Sequence, residues 1–233
     1  MDGSDSKKNR SIVIRVVKAF LFCALIIILF GLPLFLSAGS LRFAKAWLFL
    51  GTIAIPGFLI MTYLAVKDPD LFEKRTTARE EEKFQMLLKL LLTLTFLITL
   101  VVSGLDYRYH WSRAPLFVVV FFTLVMIFGN IMLFIVMKQN TYGSRAIEIQ
   151  KNQQVIDTGL YSVVRHPMYL AFSIIFCFSP LVLGSFYALI LTLFMPILIA
   201  MRIRNEEQLL QKGLEGYTSY MRKVRYRLLP YIW

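Results

Sequence analysis

The fold of this chain is decided by an uncharged stretch of 35 residues, Pro167–Met201, which reads PMYLAFSIIFCFSPLVLGSFYALILTLFMPILIAM. A helix of about 20 apolar residues is long enough to cross the hydrocarbon core of a bilayer. The stretch is too long for one crossing, and half of it covers roughly 25 Å, somewhat less than the ~30 Å hydrocarbon thickness. Gly184-Ser185 lies at its middle, shortly after Pro180, and this combination predicts a turn. We therefore expect a short helical hairpin.

Four apolar runs precede this hairpin, and each predicts a membrane-spanning helix. They cover Ala19–Leu41, Ala46–Val66, Leu90–Leu105 with Phe84–Leu88 as an extension, and Ala114–Met137. With 58% hydrophobic residues, a chain of 233 residues cannot bury its apolar side chains in one soluble core. The sequence predicts an all-α, polytopic membrane helix bundle of about five to six transmembrane helices, with the short hairpin as the last pair.

Basic residues are distributed unevenly between the two ends of these predicted helices. Of the 26 Lys and Arg residues, 21 fall in the N-terminal segment, the second loop, the fourth loop and the tail, which lie on one side, and 4 fall on the other. The positive-inside rule then places both termini in the cytoplasm. The same count fits six crossings, or four crossings plus a shallow re-entrant hairpin. We attribute the formal net charge of +12 to the orientation of the protein in the membrane and not to nucleic-acid binding.

Several residues that could suggest chemistry have simpler explanations. Cys23 and Cys177 both lie inside apolar runs and indicate neither a disulfide nor a metal site. His110 follows Tyr107 and Tyr109 in an aromatic belt of the kind found at a membrane interface. Because this belt lies on the opposite side of the membrane from His166, we assign His110 no catalytic role.

Two further patterns carry predictions about structure. Asn130 lies within a predicted span, where an amide faces a neighbouring helix or a water-filled cavity, and we favour the helix contact. In the second loop, Thr76 and Thr77 are followed by Glu80, a pattern typical of a helix start. The acids and bases of that loop are expected to pair with one another or to face lipid headgroups.

The most chemically loaded run, GLYSVVRHPMY at 159–169, lies directly at the entry of the hairpin. Pro167 suits the first position of a helix, since its missing N–H would be unpaired there. Arg165 and His166 are then at the positive mouth of that helix, where backbone N–H groups face an anion. Tyr161 and Tyr169 offer aromatic surface for a ring or a cationic sulfur. A juxtamembrane anchor is the alternative interpretation of the same residues.

A second charged run, Arg202-Ile-Arg-Asn-Glu-Glu207, directly follows the hairpin. Arg202 and Glu206 are four apart, so an ordinary helix salt bridge would explain them. Arg202 and Glu207 are about 140° apart around an ideal helix, and they converge on one ligand only if it lies between faces. Ionisable groups next to a long membrane run are usually functional.

Together, Gly-x-Tyr, Arg-His-Pro-x-Tyr and Arg-Ile-x-x-Glu-Glu resemble the signature of the isoprenylcysteine carboxyl methyltransferase and phospholipid methyltransferase family. The run 68–75 resembles a short loop of prokaryotic relatives. The resemblance implies S-adenosylmethionine as methyl donor and a lipophilic acceptor that enters from the bilayer, with the site facing the cytoplasm. It also implies N-terminal transmembrane helices over 1–138 and a methyltransferase core over 139–233.

The resemblance also suggests roles for individual residues. Arg202 and Glu207 would approach the acceptor and are the expected catalytic residues, while Glu206 would face the donor. The expected donor-binding set consists of Gln153, Gln154, Val155, Ile156, Tyr161, Arg165, His166, Pro167, Met168, Tyr169 and Glu206.

These residues do not determine the chemical identity of the methyl acceptor. A carboxylate acceptor needs no general base, because it is already ionised at pH 7. An amine acceptor would need a base, and Glu207 could accept that proton. The expected reaction is carboxyl O-methylation of an isoprenylcysteine-type substrate. The alternatives are phospholipid amine N-methylation and a non-catalytic membrane protein or transporter.

Overall fold

The structure, a computed structural model, describes residues 3–77, 80, 82–143, 150 and 152–233, with the side chains of 3–8 left undescribed. Within these ranges the chain forms ten α-helices and a short 3-10 helix, and they contain no β-strand. The helices are α1 (Gly3–Ala38), α2 (Ala44–Lys67), α3 (Pro69–Thr77), α4 (Lys83–Tyr109), α5 (Leu116–Gln139), α6 (Pro167–Cys177), α7 (Ser179–Leu183), α8 (Phe186–Thr192), α9 (Met195–Gly213) and α10 (Tyr217–Lys223). The 3-10 helix is Gly159–Ser162.

The predicted class of fold, an all-helical membrane protein, is confirmed. Five helical segments are long and apolar enough to cross a membrane. They are Asn9–Ala38, Ala44–Lys67, Lys83–Tyr109, Leu116–Gln139 and Phe186–Gly213, and Pro167–Leu183 is a shorter apolar segment. The first four match the four apolar runs that precede the hairpin.

The predicted hairpin and its turn are also confirmed. Gly184 ends α7 with a left-handed backbone (φ +82°), and α8 begins two residues later. The hydroxyl of Ser185 donates to a carboxylate oxygen of Asp106, a buried residue near the C-terminal end of α4. The turn of the hairpin therefore reaches the same end of the bundle as the end of α4.

The Asp106 carboxylate joins this end of the bundle together. Besides Ser185, it accepts a hydrogen bond from the backbone N–H of Ser112 at 2.6 Å and one from the Ser112 hydroxyl at 2.7 Å. Residues near the start of α4, such as Gln85, lie roughly 30 Å away along the helix axis. The two ends of α4 are thus separate environments, and His110, just after its C-terminal end, is far from His166.

The interior is organised around Phe96 of α4. Its ring packs against Phe30 of α1 at 5.0 Å between centroids, against Phe49 of α2 at 6.4 Å, and against Phe176 of α6 at 4.8 Å. Aromatic pairs at such edge-on angles add to the free energy gained by burying their surface. One side chain therefore connects the hairpin to three of the long helices.

Asn130 acts as a contact between helices, as we favoured from the sequence. Its side-chain amide donates to the carbonyl of Thr52 on α2 at 3.3 Å and to that of Met126 in its own helix at 2.9 Å. The neighbouring Gly129 lets α5 approach α6 closely, since a Cβ there would lie 3.0 Å from Ile174 and Ile175.

The helix start predicted at Thr76 and Thr77 is wrong. Both residues end α3, and both hydroxyls donate to the carbonyl of Glu73, with Thr76 also bonding to that of Phe72. The next helix, α4, is capped instead by Glu82, whose carboxylate accepts from the N–H groups of Phe84 and Gln85. A threonine can bond to the preceding turn as readily as it can cap the next one, so the pattern was ambiguous.

The tight contact of α1 with α4 gives a test of the packing. A Cβ at Gly104 would lie 2.0 Å from the Ser37 hydroxyl oxygen and 2.5 Å from the Leu34 carbonyl oxygen. We expect Gly104→Ala to lower the free energy of unfolding by about 1–3 kcal/mol, as overpacking does. Thermal unfolding in detergent measures this change.

The matched control is Gly51→Ala on α2, where an added Cβ would meet nothing within 4 Å. Alanine is the better helix former by about 1 kcal/mol, so this variant should be neutral or slightly more stable than the wild type. Equal melting temperatures for the two variants would contradict the close approach of α1 and α4.

Candidate functional site

The signature run enters the hairpin through a short anchored turn. Gly159 adopts a left-handed backbone (φ +59°), and a Cβ there would lie 2.1 Å from the side-chain nitrogen of Gln139, at the end of α5. The Gln139 side-chain oxygen accepts the N–H of Leu160 at 3.1 Å. Pro167 then occupies the first turn of α6, as predicted. The glycine is required because the chain turns directly against α5.

Arg165 is buried, and its side chain is already occupied by groups of this chain. Its Nε donates to the Glu207 carboxylate at 2.6 Å, and one terminal nitrogen donates to the carbonyls of Val224 at 2.7 Å and Arg225 at 2.8 Å. Its backbone N–H bonds to the carbonyl of Tyr226 at 2.9 Å. We expected this arginine to face an external anion. In the structure, the anion that it contacts at the entry of α6 is Glu207.

Glu207 is surrounded by basic groups. One carboxylate oxygen lies 2.6 Å from Arg165 Nε and 3.3 Å from His166 Nε2, and the other lies 2.7 Å from Arg227 Nε. The glutamate is only 2% exposed. A carboxylate is tolerated at such depth when charged partners and hydrogen bonds compensate it. Glu207 therefore joins α9 to the entry of α6 and to the C-terminal segment 224–233.

The C-terminal segment covers the entry of α6. The backbone N–H of His166 donates to the carbonyl of Arg227 at 2.9 Å, and the Arg227 guanidinium lies 5.2 Å from the centre of the Trp233 ring. Arg227 belongs to a run of basic residues at 222–227, a pattern that ordinarily faces water or lipid headgroups. The residue is drawn inward because Glu207 offers it a buried carboxylate.

Arg202 contacts two distant parts of the chain, the region where α4 begins and the first turn of α6. It donates to Glu80 at 2.9 Å, to the Tyr169 hydroxyl at 2.9 Å and to the carbonyl of Gln85 at 3.4 Å. Its ion pair is therefore with Glu80, from the loop before α4, and not the i,i+4 pair with Glu206. Glu80 therefore has a partner outside its own loop, which the sequence did not predict.

Glu206 and Glu207 are adjacent in sequence but contact different groups. The carboxylate of Glu206 accepts a hydrogen bond from the Tyr169 hydroxyl at 2.7 Å and remains partly exposed. Tyr169 thus connects Arg202 to Glu206, and its ring lies 5.8 Å from that of His166. The two expected catalytic residues, Arg202 and Glu207, hold separate sets of partners on the two sides of α9.

Tyr161 is buried and fixed from two sides. Its hydroxyl accepts a hydrogen bond from Asn140 at 2.8 Å, and its carbonyl accepts the hydroxyl of Tyr220 at 2.7 Å. Burial raises the pKa of Tyr161 to about 12. The phenol is therefore neutral at pH 7 and keeps its own proton as a donor.

The segment Gln153–Ile156 runs along the C-terminal part of the molecule. Val155 packs against the cluster formed by Leu210, Leu214, Tyr217, Tyr220 and Val224. The side chain of Gln153 accepts the N–H of Gln150 at 2.9 Å, while Gln154 is exposed and Ile156 is partly buried. Val155 is the member of this segment that is tied to α9 and α10. The other end of the loop, at 144–149 and 151, lies outside the described residues.

Two donors in this region, Arg75 Nε and the Tyr217 hydroxyl, are shielded from solvent and have no hydrogen-bond partner within the described ranges, and the same holds for the side-chain oxygens of Gln85 and Gln150. Arg75 reaches the site from α3, and one of its terminal nitrogens lies 2.9 Å from the Met168 sulfur. Unsatisfied buried donors in a native structure need an explanation, and an absent ligand is one.

Two cavities lie away from these residues. One, of about 560 Å³, is an apolar cleft between α1 and α2 lined by residues such as Phe35 and Trp47. The other, of about 410 Å³, surrounds Asp106 at the far end of α4. Neither is lined by the signature residues, whose side chains are closely packed and hydrogen-bonded to one another.

The fold and these contacts define a class: a polytopic helical membrane protein with a buried polar site where a hairpin, the loop before α4 and the C-terminal segment meet. Residues 119–212 match the sequence model of the isoprenylcysteine carboxyl methyltransferase (ICMT) family. This match confirms the family resemblance over that part of the chain. It covers most of α5, the hairpin and both charged runs.

A curated relative is the Delta(14)-sterol reductase TM7SF2 of the mouse, Mus musculus, which is 31% identical over 97 residues. The alignment covers 39% of this chain and 22% of the reductase. The chain thus spans about a fifth of the length of that relative.

The position of Glu207 between three basic groups gives a second test. We expect Glu207→Gln to lower stability by about 3–5 kcal/mol, because it leaves buried cations without their anion. It should also release the C-terminal segment, which Glu207 holds through Arg165 and Arg227. Thermal unfolding measures the first effect, and the rate of tryptic cleavage near Arg225 measures the second.

The control is Glu215→Gln, which removes an exposed carboxylate a few residues away and should change neither quantity. A Glu207→Gln variant with wild-type melting temperature and wild-type resistance to trypsin would show that the carboxylate does not hold this region together.

Proposed function

We propose that this protein transfers a methyl group from S-adenosylmethionine to a lipophilic acceptor that reaches the site from the bilayer. The reaction that we favour is carboxyl O-methylation of an isoprenylcysteine-type substrate. The family match over residues 119–212 supports methyl transfer as the reaction class. The choice of donor and acceptor is our inference from the site.

One observation carries the proposal: the two charged runs meet in a single buried network, although about 40 residues separate them. Tyr169 of the first run bonds to Arg202 and to Glu206 of the second, and Arg165 bonds to Glu207. A juxtamembrane anchor would place such residues at the lipid headgroups, where they need no mutual contact. Buried and interlocked ionisable groups are instead typical of a functional site.

Donor binding is assigned to the surface formed by Tyr161, Met168, Tyr169 and Glu206, with Val155 behind it. Arg165 and His166 act there by holding Glu207 and the C-terminal segment in place. When bound, the donor supplies a sulfonium methyl group, so that an acceptor oxygen bonds to the methyl carbon while the carbon–sulfur bond breaks and sulfur keeps the electron pair. The residues contribute mainly by aligning the reactants.

Arg202 is assigned to the acceptor. Three of its five N–H groups bond to Tyr169, Gln85 and Glu80, which leaves one N–H on each terminal nitrogen. A planar guanidinium can present these two to a carboxylate, which an ammonium cannot. Both oxygens of Glu207 are already engaged with basic groups. This favours an acceptor that needs no general base, such as a carboxylate, over an amine that must lose a proton.

We also propose that the site end of the bundle faces the cytoplasm. Of the 26 basic residues, 21 lie in the N-terminal segment, the second loop, the fourth loop and the tail, which we assign to one side. Arg15 near the start of α1 donates to the carbonyl of Ala65 near the end of α2 at 2.7 Å, which supports one common end. Because the hairpin turn contacts Asp106, six crossings fit better than a shallow re-entrant loop.

We propose that residues 139–233 form the methyltransferase core and that residues 1–138 form its transmembrane support. The support also contributes to the site, since Arg75, Glu80 and Gln85 all contact the core. The two parts should therefore act only together.

A second candidate function is reduction of a membrane isoprenoid, and the similarity to the mouse sterol reductase favours it. A reductase would need an electron donor such as a reduced nicotinamide, whereas a methyltransferase would not. Calorimetric titration of each into the purified protein distinguishes the two functions.

The direct test of the proposed function is transfer of a labelled methyl group. We expect the purified protein to move label from S-adenosylmethionine into prenylcysteine compounds with a free carboxylate, and not into their methyl esters. Label that appears only in phosphatidylethanolamine would instead establish amine methylation. No transfer to any lipid or protein fraction, together with binding of reduced nicotinamide, would support the reductase.

A substitution separates an acceptor role of Arg202 from a purely structural one. Arg202→Lys keeps the charge that pairs with Glu80 but loses the planar, two-pronged donor. We expect it to fold and to bind the donor almost normally, and to lose at least about tenfold in kcat/KM, roughly 1.4 kcal/mol. Glu206→Gln should act mainly on donor affinity.

Arg204→Lys is the matched control, because Arg204 lies two residues away and is exposed. Full activity of Arg202→Lys on every acceptor would show that Arg202 only joins α9 to the loop before α4.

A further inference from the structure

Arg75, which the fold shields only partly from solvent, has no ion-pair partner among the residues that the structure describes. It lies in α3, which is anchored by Leu71 and Phe72, both almost fully buried. Its Nε is shielded from solvent and has no hydrogen-bond partner within the described parts of the chain. One terminal nitrogen donates to the sulfur of Met168 at 2.9 Å. A thioether is a weak acceptor, so the guanidinium is nearly uncompensated.

The groups that face Arg75 belong to the signature run and to the end of α5. Met168, Tyr161 and Tyr169 are its neighbours, and a Cβ at Gly143 would lie 2.7 Å from a terminal nitrogen. No carboxylate forms an ion pair with Arg75 among the residues that the structure describes. Burial lowers the pKa of Arg75 to about 10, which still leaves it charged at pH 7.

A buried charge without a partner lowers the stability of a fold. The other arginines at the site avoid this cost: Arg165 and Arg227 pair with Glu207, and Arg202 pairs with Glu80. For Arg75, no such anion is found among the described residues. The first turn of α6 adds to the same positive potential, because Met168 and Tyr169 occupy its first positions, where backbone N–H groups lack helical partners.

We propose that Arg75 binds the α-carboxylate of the amino-acid part of S-adenosylmethionine. This inference rests on the proposed function and assigns the donor anchor to a residue of the N-terminal half. Arg165 is unsuited to that task, since its side chain already bonds to Glu207, Val224 and Arg225. The partly exposed carboxylate of Glu206 supplies the opposite charge for the ammonium group of the same amino acid.

The donor is favoured over the acceptor as the source of the carboxylate because of what Arg75 touches. Its neighbours Tyr161, Met168 and Tyr169 all belong to the donor surface. Arg202, which we assign to the acceptor, is held by Glu80 and Gln85 instead.

The test compares binding of S-adenosylmethionine with binding of its decarboxylated form, measured by calorimetry on the full-length protein in detergent. The wild type should bind the complete donor about ten- to a hundredfold more tightly, as expected for one charge-assisted hydrogen-bonded contact. Arg75→Met should bind both forms equally, with the affinity that the wild type has for the decarboxylated one. Lys74→Met, which removes the neighbouring cation, should keep the wild-type preference.

A second readout needs no ligand. Because Arg75→Met removes a partly buried charge whose shielded Nε has no hydrogen-bond partner among the described residues, and keeps an unbranched side chain, the ligand-free variant should melt at a higher temperature than the wild type. A structural arginine would give the opposite shift. Arg75→Lys keeps the charge, and it should retain part of the preference for the complete donor.

The outcomes separate this inference from the proposed function. If the wild type binds neither donor form, both are overturned. If the wild type binds both forms equally, the donor assignment stands and the role of Arg75 is wrong, whatever the variants do. If Arg75→Met keeps the preference for the complete donor but no longer turns over a carboxylate acceptor, Arg75 serves the acceptor and the inference is again overturned.

Discussion

The polar site depends on one buried carboxylate, that of Glu207. A lone carboxylate at this depth would be strongly unfavourable, and it is tolerated only because Arg165, His166 and Arg227 approach it together. These three groups come from the entry of α6 and from the C-terminal segment, so satisfying one charge fixes the relative positions of both with α9. The arrangement also keeps Arg165 from serving an external ligand, which leaves the recognition of an anion to another residue.

The adjacent glutamates of α9 illustrate how a helix divides tasks. Successive residues point about 100° apart, so Glu206 and Glu207 cannot face the same group. Glu207 faces inward to the basic cluster, whereas Glu206 meets the hydroxyl of Tyr169 and stays partly exposed. Tyr169 is in turn bound by Arg202. The donor side and the acceptor side that we propose are thereby joined through a single tyrosine, which lies next to His166.

The helices could be predicted from the sequence because length and hydrophobicity determine them locally. Pro167 at the first turn of α6 and the turn at Gly184 follow from backbone chemistry alone. The partners at the site could not be predicted in the same way. Glu80 lies 122 residues before Arg202, and Arg227 lies 20 residues after Glu207, so no spacing rule connects them. Arg75 was visible only as part of a charged loop, since the absence of a counter-ion is a property of the folded arrangement.

The central claim is that the two charged runs form one site for an S-adenosyl ligand at the end of the bundle that holds the start of α6. The most direct measurement is the position of S-adenosylhomocysteine in a structure of the protein determined with that product. The account predicts that the ligand contacts Tyr169 and Glu206, beside the first turn of α6. A ligand found in the apolar cleft between α1 and α2, or in the cavity around Asp106, would contradict it.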